Sequence, residues 1–488
     1  MQCHPCDTRR HGRTPLTADA AALLTRRSPA GRGALTAVTL GSAMALMDGT
    51  VVNIAVRAIG ADLVASLAQL QWVVNGYLLT LASLVLVSGA LGDLRGRRQL
   101  YVVGIAWFAL ASIACALAPT ATALIIARAV QGVGAALLTP GALAVIQSSF
   151  VPEDRPAAIG TWAGVSGIAT AVGPFVGGFL LDHGGWRGIF AINVPVAAVV
   201  IALTLRYVPE SRDPEADGRL DLVGAALTVA GLAALTLGLI GSGESSAART
   251  IALCASGLGL LGLFVARERR APRPLVPLGL FASRVFSAAN AMTLLVYGAL
   301  GAVLFLLTIQ LQVLAGFSPL ASGLATLPIT VALLLLSSRF AALAHRIGPR
   351  IPMSAGPILC AVGVVLLAPV GRGTGYWLGV FPGMCVFGLG LAALVSPLTA
   401  AVLGAAPDRY AGTASGINNA VARAGSLLAV AALPPLVGLT GTAYDDPAAF
   451  TDGYRLACFA CAGLLTAGGV VSWLGLGRTA ESAISGQI

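Results

Sequence analysis

The run ALMDGTVVNIAV, residues 45–56, holds one carboxylate, Asp48, among apolar neighbours. The apolar stretch extends from 34 to 56, long enough to cross a bilayer as a helix. A charge inside such a helix costs about 2.5–3.5 kcal/mol on insertion scales. Asp48 therefore reads as a residue with a task, set in the first of many membrane helices.

Composition agrees with a membrane chain. Of 488 residues, 57% are hydrophobic and 10% charged, against roughly 25% charged in a soluble domain. The formal net charge is +10, and every basic residue is Arg; there is no Lys. A phosphate-binding loop of the GxxxxGK[ST] kind needs its Lys, so ATP is not expected to power the chain directly. Abundant Ala, Gly and Arg without Lys suggests a GC-rich bacterial genome. Six of the eight Cys lie in apolar runs, where Cys behaves as a small hydrophobe. The CHPC segment, 3–6, with His11 nearby, reads as a tail rather than a metal site. The first 33 residues contain no long apolar segment, so no cleavable signal peptide is expected.

Apolar runs of helix length occur near 34–56, 72–92, 100–118, 121–149, 157–181, 188–207, 222–242, 250–266, 285–312, 320–342, 353–370, 376–402, 412–436 and 456–476. The fold class expected is an all-α membrane protein with 14 transmembrane helices. With the N-terminus inside, 23 Arg fall in cytoplasmic segments and five outside, as the positive-inside rule requires. An even helix count returns the C-terminus to the cytoplasm. The remaining two, Arg128 and Arg423, fall within spans.

The chain also repeats itself. DLRGRR, 93–98, follows the second span and HRIGPR, 345–350, follows the tenth; Gly96 and Gly348 are 252 positions apart. GTWAGVSGIATAVG begins at Gly160 and GTASGINNAVARAG at Gly412, again 252 apart, which pairs Gly173 with Gly425. Two distant matches at one offset predict two pseudo-symmetric six-helix bundles. The expected division is a tail at 1–33, bundles at 34–207 and 285–476, a connection at 208–284 with two extra helices, and a tail at 477–488. Internal repeats around a midplane site are typical of secondary transporters.

Four segments carry the chemistry. GALGDLRGRR, 89–98, places small residues before a tight turn at Gly96. Gly89 allows close helix approach. Asp93, Arg97 and Arg98 form either a charge relay against a neighbouring helix end or a solvated basic loop that sets topology. LIIARAVQGVGAA, 124–136, holds Arg128, Gln131 and Gly132. Arg128 either snorkels to the outer interface or faces inward. It lies seven residues in from the outer end of its span, roughly 10 Å, and Asp48 eight residues in, roughly 12 Å. The two charges share a depth. A cation favours the ionised form of a carboxylate while burial favours the protonated form, the balance that a proton carrier requires. GPFVGG, 173–178, combines a bend at Pro174 with close packing at Gly173, Gly177 and Gly178. It reads as a hinge or as ordinary kinked packing. WRGIFAINVP, 186–195, marks an outer interface.

Taken in order, these segments resemble the major facilitator superfamily, and within it the fourteen-helix drug:proton antiporters of the EmrB/QacA type. The patterns GxLxDxxGRR, LxxxRxxQGxGAA and GPxxGG are complete, and the first-helix pattern reads Met47, Asp48, Gly49, Thr50, Val51, Val52, Asn53. Ala169, Leu94 and His345 depart from the family pattern and bear on the fine gating charges. The resemblance implies alternating access between two rocking bundles. Protons entering from outside would drive a small-molecule substrate out, with no cofactor. Asp48 would carry the proton, being the only acid deep in these spans, and Arg128 would tune it. Asp48→Asn is then expected to abolish proton-coupled export from a folded, inserted protein.

Asn53, Asn75, Tyr77, Gln131, Gln310, Gln312, Asn418 and Asn419 are candidate cavity linings, or else interhelical hydrogen-bonders. Arg423 could favour an anionic group, and dications are a poor fit because spans nine to fourteen hold no carboxylate. The expected function is export of amphipathic or hydrophobic compounds such as drugs. The alternative is a dedicated exporter of one endogenous metabolite or self-made antibiotic. Uptake by symport fits the GPxxGG pattern less well. An enzyme is not expected: HExxH is absent and none of the four His lies deep in a span. The chain is expected in the bacterial cytoplasmic membrane, both termini cytoplasmic, as a monomer without nucleic-acid partners.

Overall fold

The computed structural model describes residues 23–212, 221–243, 245–271, 274–407, 410–441 and 446–476. The CHPC segment lies outside the described residues, as does the side chain of Asp93. Among the described residues the regular structure is helical: α1 Pro29–Leu63, α2 Leu67–Arg95, α3 Arg97–Ala116, α4 Ala121–Ser149, α5 Arg155–Gly184, α6 Trp186–Ala191, α7 Asn193–Tyr207, α8 Leu222–Ile240, α9 Ala247–Glu268, α10 Arg284–Ile309, α11 Pro319–Leu324, α12 Leu327–Ile347, α13 Arg350–Leu367, α14 Phe381–Gly404, α15 Ala411–Leu436 and α16 Pro447–Gly475. Among the described residues, thirteen helical stretches are long and apolar enough to cross a membrane. The 30-residue α5 is a further long helix, packed along α1. The chain is a multi-pass membrane protein.

Local chemistry sets the ends. Ser28, Ser66, Thr120, Asp221, Ser246, Ser283, Ser318 and Asp446 each accept a backbone N–H at a helix start, satisfying donors that no carbonyl of the helix can reach. The first helix begins five residues earlier than the apolar run suggests, because Pro29 and the Ser28 cap start it. The sixth predicted span breaks at Ile192 into α6 and α7. The ninth ends in a π turn, Gln310–Leu314.

The repeat seen in the sequence has a counterpart in three dimensions. Gly96 and Gly348 both sit at positive φ, 113° and 83°, where each turns one helix into the next. The packing of α2 on α4, α3 on α4, α1 on α5, α3 on α7 and α1 on α7 is matched by α12 on α14, α13 on α14, α10 on α15, α13 on α16 and α10 on α16. Across the two sets, α2 packs on α15 and α5 on α12, the pairing a two-fold relation demands. The α8–α9 hairpin rests through α8 on α2 and α15.

One end of the bundle is tied shut. Gln312 Nε2 donates to the Ile54 carbonyl at 3.0 Å, and Arg57 donates to the Gln312 carbonyl. Gln71 Nε2 donates to the Val430 carbonyl at 2.6 Å. All three bonds join α1 or α2 to the second set of helices, at the end opposite the Arg-rich loop 95–98. Each is worth about 0.5–1.5 kcal/mol net. Removing two of these bonds, by Gln71→Leu with Gln312→Leu, is expected to speed amide hydrogen exchange at 54–58 and 312–316 by about five- to 150-fold. Unchanged exchange there would show that these bonds do not hold the end closed.

Candidate functional site

Asp48, on α1, is the centre of a buried polar cluster. Arg128 Nη1, from α4, approaches Asp48 Oδ2 at 2.6 Å, with side-chain exposures of 1% and 0%. Gln131 Nε2, one helical turn on, donates to Asp48 Oδ1 at 2.9 Å. Asn193 Nδ2, at the start of α7, donates to the same oxygen at 3.0 Å. Ser112 Oγ, on α3, accepts from Gln131 at 2.9 Å and from Asn193 at 3.3 Å. Arg128 also donates through Nε to the Val73 carbonyl at 3.2 Å and through Nη1 to Gln131 Oε1 at 2.5 Å. Its guanidinium stacks 4.3 Å from the Tyr77 ring centroid.

Of the two readings of Arg128, snorkelling is the one the geometry discards. The cluster removes two charges from solvent and replaces their hydration with donors and acceptors from five helices. Such a pair is weak evidence of stabilisation, but removing one partner costs about 3–5 kcal/mol. The sequence reading missed Ser112 and Asn193. Asn193 lies seven residues past Trp186, the same depth from the same end as Arg128, so depth alone could have found it.

A cavity of about 870 Å³ runs from Ala45, Tyr77 and Arg423 to Leu94, Arg97 and Asp221 at the Arg-rich end. Its walls come from α1, α2, α3, α4, α5 and α15, with Pro274 and Pro277 from the connection. Of the cavity candidates, Tyr77, Asn419 and Arg423 line it, and so does Gly89. Five do not. Asn75 is fully buried, with neither amide atom partnered. Asn53 is half-buried and its Oδ1 lacks a partner. Gln310 donates to the Val370 carbonyl at 2.6 Å, and Gln312 ties the closed end. Asn418, one residue around α15 from Asn419, donates to Thr293 Oγ1 at 2.8 Å and to Asn290 Oδ1 at 3.2 Å. These five are interhelical bonders or unpaired amides, not walls. Trp162, unmarked by any sequence pattern, also lines the cavity and donates through Nε1 to Ser42 Oγ at 2.8 Å.

Asp48 does not touch this cavity. It sits one turn beyond Ala45, behind the Tyr77 ring, with its residue 3% exposed. In this conformation the Tyr77 ring and the Arg128 ion pair close Asp48 off from the cavity.

The two glycine motifs serve packing. A Cβ on Gly132 would strike the Tyr77 carbonyl, so α4 meets α2 only because the side chain is absent. Gly173 faces Met47 and Thr50, and Gly177 faces Val51, both on α1. Gly178 faces Leu320 on α11, while Gly323 of α11 faces the Pro174 carbonyl. GPFVGG therefore joins the two sets of helices at the closed end. In the loop motif, Arg98 N donates to Glu210 Oε1 at 3.1 Å, and its Nε lies 3.7 Å from Oε2. Glu210, just past α7, went unnoticed in the sequence. Arg97 lines the cavity mouth.

The sequence model of the Major Facilitator Superfamily matches residues 38–430. The chain belongs to that superfamily. It is similar to the tetracenomycin C resistance and export protein of Streptomyces glaucescens, 36% identical over 83% of this chain and 75% of that one. It is likewise similar to the multidrug resistance protein Stp of Mycobacterium tuberculosis, 36% identical over 85% of this chain and 77% of that one. Among solved structures, a POT family transporter in complex with 5-aminolevulinic acid superposes with a TM-score of 0.69 at 13% identity, covering 92% of this chain and 97% of that one. That likeness carries the superfamily fold alone.

Proposed function

We propose that this member of the superfamily exports small amphipathic compounds across the membrane in exchange for protons, by alternating access. The observation that carries the reading is the asymmetry of the bundle: one large cavity reaches its middle from the Arg-rich end, while the other end is tied shut between the two repeats. Such a cavity suits a carrier, and resistance and export relatives support the direction. By the positive-inside rule the open end is cytoplasmic, with both termini there. Counting α5, we take the chain as fourteen spans, two bundles of six with α8 and α9 between them, acting as a monomer and not as an enzyme.

The Asp48 cluster offers a coupling device. Asp48 Oδ1 already accepts two hydrogen bonds and Oδ2 the Arg128 ion pair. An added proton either displaces a donor from Oδ1 or removes the counter-charge of Arg128. Either event loosens α1 from α4 and α7 and biases the equilibrium between the two openings. Because Tyr77 seals Asp48 from the cytoplasmic cavity, proton entry belongs to the state in which the tied end has opened.

Proteoliposome efflux under an imposed pH gradient, over a panel of unrelated compounds, tests the reading. Export that collapses with the gradient is expected; export indifferent to it would end the proton-coupled scheme. The relative named for tetracenomycin C resistance and export favours a second reading, a dedicated exporter. Activity on one compound of the panel alone would select it.

A further inference from the structure

We infer that the cavity selects small organic anions, a flat ring system bearing a carboxylate or an acidic phenol, and that Arg423 supplies the selecting charge. The inference rests on reading the cavity as the substrate site of an exporter.

α15 presents Gly412, Gly416, Asn419 and Arg423 to the cavity, at spacings that form one helical face. Arg423 lies twelve residues beyond the helix start at Ala411, about 18 Å along the axis at 1.5 Å per residue. That places it past the middle of a hydrocarbon core roughly 30 Å thick. Its hydrogen-bond partner is Asn419 Oδ1, at 3.4 Å, a neutral amide. Among the described residues no carboxylate comes within ion-pair distance of it.

The contrast with Arg128 is instructive. That cation is sealed, paired with Asp48 and hydrogen-bonded through Nε and Nη1, whereas Arg423 opens on the cavity with no carboxylate partner among the described residues. The one carboxylate among the described lining residues, Asp221, sits at the mouth and is held by Arg267, at 2.9 and 3.0 Å from Nε. A cation deep in a low-dielectric site is costly unless something anionic completes it. A guanidinium does so best with a planar oxyanion, which it can grip through two N–H groups. The lining also carries Tyr77 and Trp162, the latter fixed in place by its bond to Ser42. They supply apolar faces for rings. Cationic amphipaths meet a like charge here and are excluded.

Equilibrium binding to the purified full-length protein tests this, with anthracene carboxylate and its neutral isostere anthracene carboxamide as probes. The wild type is expected to prefer the carboxylate by about tenfold or more, the scale of one charge-assisted contact. Arg423→Gln should abolish the preference and leave carboxamide binding unchanged, while Arg423→Lys should keep part of it. Equal binding of the two probes to the wild type overturns the inference and leaves proton-coupled export standing. Loss of both probes alike in Arg423→Gln also overturns it, by assigning Arg423 a structural role. If neither probe binds the wild type, both the inference and the cavity's role as substrate site fall. Displacement of the carboxylate by equimolar phosphatidylglycerol would place a lipid headgroup at Arg423 and overturn the free-anion reading.

Discussion

Asp48→Asn is expected to abolish proton-coupled export and to destabilise the protein by about 3–5 kcal/mol. The second effect is absent from the sequence expectation of a folded, inserted and merely inactive variant. Both carboxylate oxygens of Asp48 accept from donors, and one of those donors is the fully buried Arg128. An amide in that position turns its NH₂ toward another donor whichever way it is set. It also leaves the guanidinium without a counter-charge. A lower melting temperature in detergent should therefore accompany the lost activity.

The double variant Asp48→Asn/Arg128→Gln separates the two. It removes the orphaned cation, so its melting temperature should rise above that of the single variant, while export stays absent. Normal efflux by either variant would remove Asp48 from the coupling scheme. A single variant that melts like the wild type would mean that the pair carries no buried charge to orphan.

What could be read in advance follows from what each inference needed. Asp48 and Arg128 could be matched because depth along a span is a count of residues, and both counts start from the same face. Asn193 satisfies that count too, but a neutral amide in a span is cheap and draws no attention. Ser112 leaves no trace, since a Ser on a membrane helix usually bonds its own backbone, as it also does here to Phe108 at 2.8 Å. The repeat was legible at Gly96 and Gly348 because a positive φ restricts the residue type.

The cavity was far less legible. Which face of a helix meets the cavity depends on how the two sets of helices lean together, and no local pattern encodes that. Gln310 and Gln312 show the difficulty: the π turn after Ile309 changes the angular register and carries both amides into the closed end. The sealing of Asp48 by Tyr77 depends on ring placement between helices and was likewise invisible.

Gly178→Val is expected to drive the protein away from the conformation described here. A Cβ at Gly178 would lie 2.5 Å from Leu320 Cα and 2.8 Å from Leu320 N. Both are backbone atoms that cannot swing aside. The reciprocal contact is as tight, since a Cβ at Gly323 would lie 2.8 Å from the Pro174 carbonyl carbon. The α5–α11 contact thus exists because two glycines face each other's backbone. In alternating access this contact is broken whenever the tied end opens, so an added side chain penalises one state and spares the other. Overpacking costs about 1–3 kcal/mol, which shifts the equilibrium about five- to 150-fold. Distances between spin labels on the ends of α5 and α11 should lengthen, and export should fall because the cycle needs both openings. Gly164→Ala, on the same helix with nothing within 4 Å of its Cβ, should change neither. If Gly178→Val left the distances unaltered, GPFVGG would be a packing motif indifferent to the transport cycle, and the closed end would be held by the glutamine bonds alone.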